Sequence, residues 1–540
     1  MKDISSTGSF INFYLNNYIY VDKTQYIRDL IKLERVFISR PRRFGKSLTL
    51  DTIATLFETG VEPYFKGTWI YDKWTEPTYP VLRLNFLDLD KYSLEHFKQK
   101  LNAIISSFAR DINVKNYEEK VEPEDTIYFL LDELRKEKRQ IVILIDEYDC
   151  QMTANINNET LYKQFQEKIK SFYATIKNKW PIKFLGITGV TRLKDVEIFS
   201  IGSDINDITN DSVYSQMIGF TRDEIKKYYI DYLKLAASYE NNCTVDNVTE
   251  AQIESLLDRL AKNYDGYCFD EFYKKKVFST WSVNKFFQSV VSNKFVYFGE
   301  YWYDNGGLPS ILVNYLKTHE LNIFEYLDKD KFLKVSSDDF KNPTALTTIN
   351  QNVLMCQTGY LTLRSDLNKT STVALGIPNG EIYKALNRLL ANNIFKGNTD
   401  ITDDYGRSLL EVGTVDDIIN LFNSALNSVS YDNYPIVSES SVQNMLKLYL
   451  LGAHQKVLSE VHEAKGRADL VVNTDNRRIV FEFKYAKNET EAKSKLLDAV
   501  EQIKTRDYGN IVPKKTELLR IAAVFNADPK VRAFTEYQKV

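Results

Sequence analysis

Through the first part of the chain, short apolar runs alternate with longer stretches in which apolar positions recur every three or four residues. The runs Val36–Ser39, Val81–Phe86, Ile141–Ile145 and Phe184–Thr188 are bounded by polar residues or glycine and predict buried strands. Between them, Leu94–Ala109 and Thr160–Lys177 carry a helical period. Strands and helices in alternation predict an α/β fold, a parallel sheet with helices on both faces. Helical patterns then take over. Thr221-x-x-Glu224 and Thr249-x-x-Gln252 are capping boxes, and the helices they open are expected to reach about Ala237 and about Asn263. From Phe269 to Asn433 the pattern is mixed and marks no boundary. Tyr431-Asp-Asn-Tyr-Pro435 reads as a linker, after which alternation resumes. There the runs Gly466–Asn473 and Asn476–Lys484 flank a turn rich in Asn and Asp, the pattern of a hairpin. A helix over Glu489–Arg506 and a strand over Leu519–Phe525 follow.

Composition narrows the class. The 540 residues are 44% apolar, enough for packed cores in about three to four domains. A formal net charge of −3 offers no global basic field, so any nucleic-acid site has to be local. Cys150, Cys243, Cys268 and Cys356 lack both metal-ligand spacing and secreted density, which fits a reducing, cytoplasmic location. The segment MKDISSTGSF has no signal-peptide pattern, and no run approaches the ~18 apolar residues of a membrane span. His96, His319, His454 and His462 are scattered, and neither an HExxH nor a GxSxG pattern occurs.

The first candidate chemistry follows the strand Val36–Ser39. The loop Arg40, Pro41, Arg42, Arg43, Phe44, Gly45, Lys46, Ser47, Leu48 runs from a strand into a helix. Backbone N–H groups at a helix N-terminus cradle phosphates, a lysine reaches the β/γ oxygens and a hydroxyl holds Mg²⁺. Gly45, Lys46 and Ser47 fit those parts, although Arg40 stands where the usual motif has its first glycine. Ile143-Leu-Ile-Asp146-Glu147 ends a later strand. There Asp146 would bind Mg²⁺ through water, and Glu147 would orient or deprotonate the attacking water. The extra strand Val81–Phe86 suggests the AAA-like arrangement, in which another strand lies between the loop strand and the Asp strand. At the tip of the next strand Thr188 is a candidate γ-phosphate sensor, and Arg192 a candidate for transition-state charge, in cis or in trans. Action in trans would require a homo-oligomer.

The second candidate lies in the predicted hairpin. Pairing across its turn sets Asp469 roughly opposite Val480–Glu482, and Glu482 and Lys484, two apart, leave the strand on one face. Two acids beside a lysine can hold Mg²⁺ and position a water for attack on a phosphodiester. An edge hairpin with an exposed charge network would use the same letters.

Tyr20-Val-Asp-Lys-Thr24, RPRRFGKSL, IDEYD and ITGVTR resemble the AAA-ATPase-like proteins, as do Tyr264-Asp-Gly-Tyr267, Trp281-Ser282 and Gln357-Thr-Gly-Tyr360. The resemblance implies that the arginine-rich loop without its first glycine is a family trait. Ser279-Thr280 stands before Trp281 where relatives tend to read asparagine-proline. Asp–x12–Glu–x–Lys resembles the PD-(D/E)XK nuclease fold, which that family often carries at its C-terminus. The resemblance also implies an upstream glutamate, either Glu463 or Glu460, as a metal ligand, and a role for Gln502 in orienting water or phosphate. The expected organisation is a P-loop ATPase of AAA-like or STAND-like type over 1–220 and a helical lid over 221–330. A mixed, winged-helix-like connection over 331–434 and a restriction-endonuclease-like α/β/α domain over 435–540 would follow. The expected function is an ATPase, with ATP and Mg²⁺ as cofactors, whose nucleotide state gates a Mg²⁺-dependent nuclease on DNA, with no membrane partner. The competing expectation is an ATP switch with a catalytically inactive nuclease fold.

Overall fold

The computed structural model describes residues 1–177, 179–193, 204–304, 310–316, 323–343, 345–395, 405–453, 455–463, 466–509 and 517–540. The chain divides into two compact units, Met1–His319 with Phe332–Ile382, and Glu320–Lys331 with Tyr383–Val540.

In the first unit β1 (Arg35–Ser39), β2 (Val81–Asn85), β3 (Ile141–Asp146), β4 (Ile182–Gly189) and β5 (Asn206–Asp207) form a parallel sheet ordered β2-β3-β4-β1-β5. Strands covered on both faces read as continuous apolar runs, and β1 is buried along its whole length. A strand does separate the loop strand β1 from the acid strand β3, but it is β4; β2, which suggested the arrangement, lies at the sheet edge. The helices Leu94–Asp111, Pro123–Lys136 and Glu159–Ile176 pack on one another.

Both capping boxes form: Thr221 and Thr249 accept from the backbone N–H of Glu224 and Gln252, whose side chains bond back. The first helix nevertheless breaks early, into Arg222–Tyr228 and Ile230–Asn241. Tyr229 at the break is buried, bonds to Asn284 Oδ1 at 2.5 Å and stacks on Phe287, so tertiary contacts override helix continuation there. The second box opens Glu250–Tyr264, whose leucines pack with Val283, Phe286 and Phe287 of the helix Thr280–Asn293. The same unit also holds a small antiparallel sheet, β6 (Leu333–Ser336), β7 (Thr362–Leu363) and β8 (Thr372–Gly376), ordered β6-β8-β7.

The second unit is built on β9 (Lys456–Glu463), β10 (Gly466–Asn473), β11 (Arg477–Ala486), β12 (Glu517–Asn526) and β13 (Ala533–Lys539), ordered β13-β12-β11-β10-β9. The expected hairpin is β10–β11, antiparallel with Leu470 opposite Phe481 and Val471 opposite Val480. The helix Glu489–Arg506 crosses over to β12, which runs parallel to β11, and packs Ala499, Val500 and Ile503 against Val471, Val480 and Ala522. The helices Val415–Asn427 and Glu439–Gly452 also pack on this sheet. Among the described residues no helix is long and apolar enough to cross a membrane.

Candidate active sites

The turn after β1 enters the helix Lys46–Thr59 through Gly45, whose φ of 104° lies in the left-handed region that favours glycine. The buried Lys46 donates to the carbonyls of Arg40 at 3.1 Å and Pro41 at 3.2 Å, and lies 3.6 Å from Glu147. Ser47 Oγ donates to Asp146 Oδ2 at 2.5 Å, while Thr188 Oγ1 donates to the other oxygen, Oδ1, which also accepts from Glu147 N at 3.0 Å. The tips of β1, β3 and β4 thereby bring Lys46, Ser47, Asp146, Glu147 and Thr188 together. Burial pushes the Glu147 carboxyl above its ordinary value, with Lys46 opposing and the neighbouring acids Asp149 and Asp146 adding to the rise. A raised carboxyl is a stronger proton acceptor than an exposed one. A cavity of about 680 Å³ opens here, lined by the loop from Arg42 to Thr49, by Ser5–Gly8 and Lys23, and by Met217–Phe220, Thr280 and Trp281.

In the second unit Asp469 Oδ2 accepts from Phe483 N at 2.8 Å, which ties β10 to β11 beside Glu482. Glu482 is fully buried; Lys484 Nζ donates to its Oε1 at 2.8 Å, and Oε2 has no hydrogen-bond partner among the described residues. Burial first, and the nearby Asp469 second, push the Glu482 carboxyl up to about 7 against the pull of Lys484. Burial disfavours the Lys484 charge, but the bond to Glu482 and the charges of Glu482, Glu439 and Asp469 outweigh it and raise its pKa. An orphaned buried carboxylate oxygen next to a second acid is a donor set that fits a divalent cation.

The family comparisons fall on these two sites. A family model described as predicted AAA-ATPase matches residues 5–199, and one described as PD-(D/E)XK nuclease superfamily matches 437–534. The chain carries an AAA-ATPase-like domain and a PD-(D/E)XK superfamily domain. It is 26% identical over 533 residues, 95% of this chain and 94% of the relative, to an uncharacterized protein in the vnfD 5′ region of Azotobacter chroococcum mcd 1. A solved Cdc6p from Pyrobaculum aerophilum is 12% identical, with a match covering 68% of this chain and 93% of its own at a TM-score of 0.23.

Within the AAA-ATPase-like domain the loop arginines divide. Arg42, Arg43, Phe44, Gly45, Lys46, Ser47 and Leu48 line the cavity. Arg40 and Pro41, also expected to bind nucleotide, do not line it. The Arg40 guanidinium is buried behind the loop, where Nη1 donates to the carbonyls of Ser39 at 2.9 Å and Thr209 at 2.6 Å. Arg43 Nη1 donates to the carbonyls of Tyr301 at 3.2 Å and Trp302 at 3.1 Å, and the guanidinium stacks 4.5 Å over Trp281. Phe44 packs edge-on against Tyr267 and Trp302, and Gly359 admits Pro41 so closely that an added Cβ would stand 2.9 Å from the proline ring. The motifs Tyr264–Tyr267, Trp281 and Gln357–Tyr360 therefore meet at the outer side of the loop. Arg192 is paired with Asp207 of β5, so in this arrangement its guanidinium serves the far edge of the sheet rather than the cavity.

In the PD-(D/E)XK domain the side chains of Glu460 and Glu463 lie outside the described residues. The Gln502 amide, expected to orient water or phosphate, donates to the Tyr508 hydroxyl at 3.3 Å. Sequence reasoning missed Glu439, at the start of the helix Glu439–Gly452, which lies 3.5 Å from Lys484 Nζ. A glutamate opening a helix just before the hairpin was its only sequence signal. It also missed Asp149, buried, which accepts from Thr191 N at 2.7 Å and Val190 N at 3.3 Å and so ties the ends of β3 and β4.

Proposed function

We propose that this chain binds and hydrolyses ATP with Mg²⁺, and that its nucleotide state gates a Mg²⁺-dependent nuclease acting on DNA phosphodiesters in the cytoplasm. The observation that carries the nuclease reading is the convergence of Asp469, Glu482 and Lys484, with Glu482 Oε2 buried and without a hydrogen-bond partner among the described residues. Asp469 and Glu482 would hold the metal, which when bound lowers the pKa of its water and neutralises charge on the scissile phosphate. Lys484 opposes the rise that burial imposes on the Glu482 carboxyl and offers N–H donors towards a phosphate oxygen. The ATPase reading rests on Lys46 for the β/γ oxygens, Ser47 and Asp146 for Mg²⁺, Glu147 as the water's base and Thr188 next to Asp146.

One set of variants tests both halves. Asp469→Ala and Glu482→Ala should abolish Mg²⁺- or Mn²⁺-dependent DNA cleavage while phosphate release from ATP continues. Lys46→Ala should abolish nucleotide binding, and Glu147→Gln should retain binding and lose turnover. A wild-type chain that cuts neither DNA nor RNA with either metal, yet turns over ATP, would favour an ATP switch with an inactive nuclease fold. Turnover unchanged in Lys46→Ala and Glu147→Gln would overturn the ATPase site.

A further inference from the structure

The Arg40 guanidinium is the most thoroughly buried cation of the first unit, and only half of it is engaged. Its Nη1 is occupied by the carbonyls of Ser39 and Thr209, and its face lies 4.1 Å from the Phe269 ring. Nε and Nη2 have no hydrogen-bond partner among the described residues. Those two N–H groups point along one edge of the planar group, the fork with which arginine grips an anion through two parallel bonds. A second cavity, of about 40 Å³, lies against this side chain, and Asn210, Gln357 and Arg192 also line it. It has room for a particle of the size of one water or one halide, and is too small for a phosphate-bearing metabolite.

Charge decides between those two occupants. Arg40 and Arg192 both line the cavity, and among the described residues Asp207 is the carboxylate that acts on both. The thiols of Cys268 and Cys356 at its wall are pushed up by burial to about 11 and about 12, so they stay neutral and add no counter-charge. A buried positive charge in excess, with two unused donors on one edge, favours an anion over a neutral water.

We propose that Arg40 Nε and Nη2 bind a chloride-sized inorganic anion in this cavity, behind the phosphate loop and separate from the nucleotide cavity. The carbonyl of Arg40 accepts from Lys46, so the anion would also hold one end of the bond that positions the loop lysine.

The test uses the full chain. Crystals grown in bromide should show an anomalous peak at Arg40 Nε and Nη2. At constant ionic strength, replacing gluconate by chloride should raise Tm in a saturable way, as binding to the native state alone requires. Arg40→Met should erase that rise. Arg40→Lys, which keeps the charge but loses the fork and serves if the first variant fails to fold, should weaken the apparent chloride affinity several-fold. A peak in bromide without any chloride response in solution means an adventitious ion only and overturns the proposal. So does an ordered water with no anomalous signal, or a chloride response that survives intact in both variants.

Discussion

Glu482 reports on its own surroundings through its proton. With its carboxyl at about 7 in the native chain and near 4.5 when exposed, the native state holds a proton between those values that the unfolded state has released. Stability of the metal-free protein should therefore fall as pH rises through that window and level off above it. At about 1.4 kcal/mol per pKa unit, the loss is at most about 3.5 kcal/mol. Denaturant melts from pH 4.5 to 8 should show this slope in wild type and its near absence in Glu482→Gln, and an equal slope in both would refute the assignment. The same proton predicts that Mn²⁺ binding tightens with pH up to about 7, because the metal must displace it. The residue types and spacing of this site were legible because hairpin register is a local property of two adjacent strands. Glu439 was not, since nothing in the spacing between a helix start and a strand tens of residues later encodes their approach.

At the scale of elements, the phosphate loop is held from outside as firmly as from within. Gly359, with φ of 92° and Pro41 close by, is one such support. Gly359→Ala should cost about 1–2 kcal/mol for the left-handed backbone alone, and more from the contact with Pro41. Isothermal titration should find weaker ATP binding although no ligand atom is touched. Arg43→Ala, which cuts the loop from the Tyr301 and Trp302 carbonyls and from Trp281, should weaken nucleotide binding in the same assay. By contrast, Thr249→Ala removes a helix cap that does not line the nucleotide cavity. It should lower stability by about 1 kcal/mol in thermal melts and leave ATP affinity unchanged. Caps of this kind were readable residue by residue, as were β1, β3 and β4, because each is written in a few consecutive positions. The helix break at Tyr229 was not, because a buried ring and its bond to Asn284 decide it. The arginines of the loop misled for a related reason: sequence records their charge but not which carbonyls capture it.

For the whole molecule, the two candidate sites occupy different compact units, so the effects of their variants should separate. Lys46→Ala should leave Mn²⁺ binding at Glu482 intact, and Glu482→Gln should leave ATP binding intact, when each is followed by titration. If nucleotide gates the nuclease, cleavage by the Lys46→Ala chain should lose its ATP dependence while metal affinity is retained. The units are also interleaved along the chain: the second takes Glu320–Lys331 before the first resumes at Phe332 and ends at Ile382. The backbone passes between them three times, so neither can be excised as one continuous piece. A fragment starting at residue 383 would lack part of its own unit, and a fragment ending at 319 would lack the small sheet and the Gly359 support of the phosphate loop. A protease cutting once between the units would leave at least one fragment carrying a piece of the other unit. An insertion or gene fusion that respects the fold has to accommodate all three crossings together.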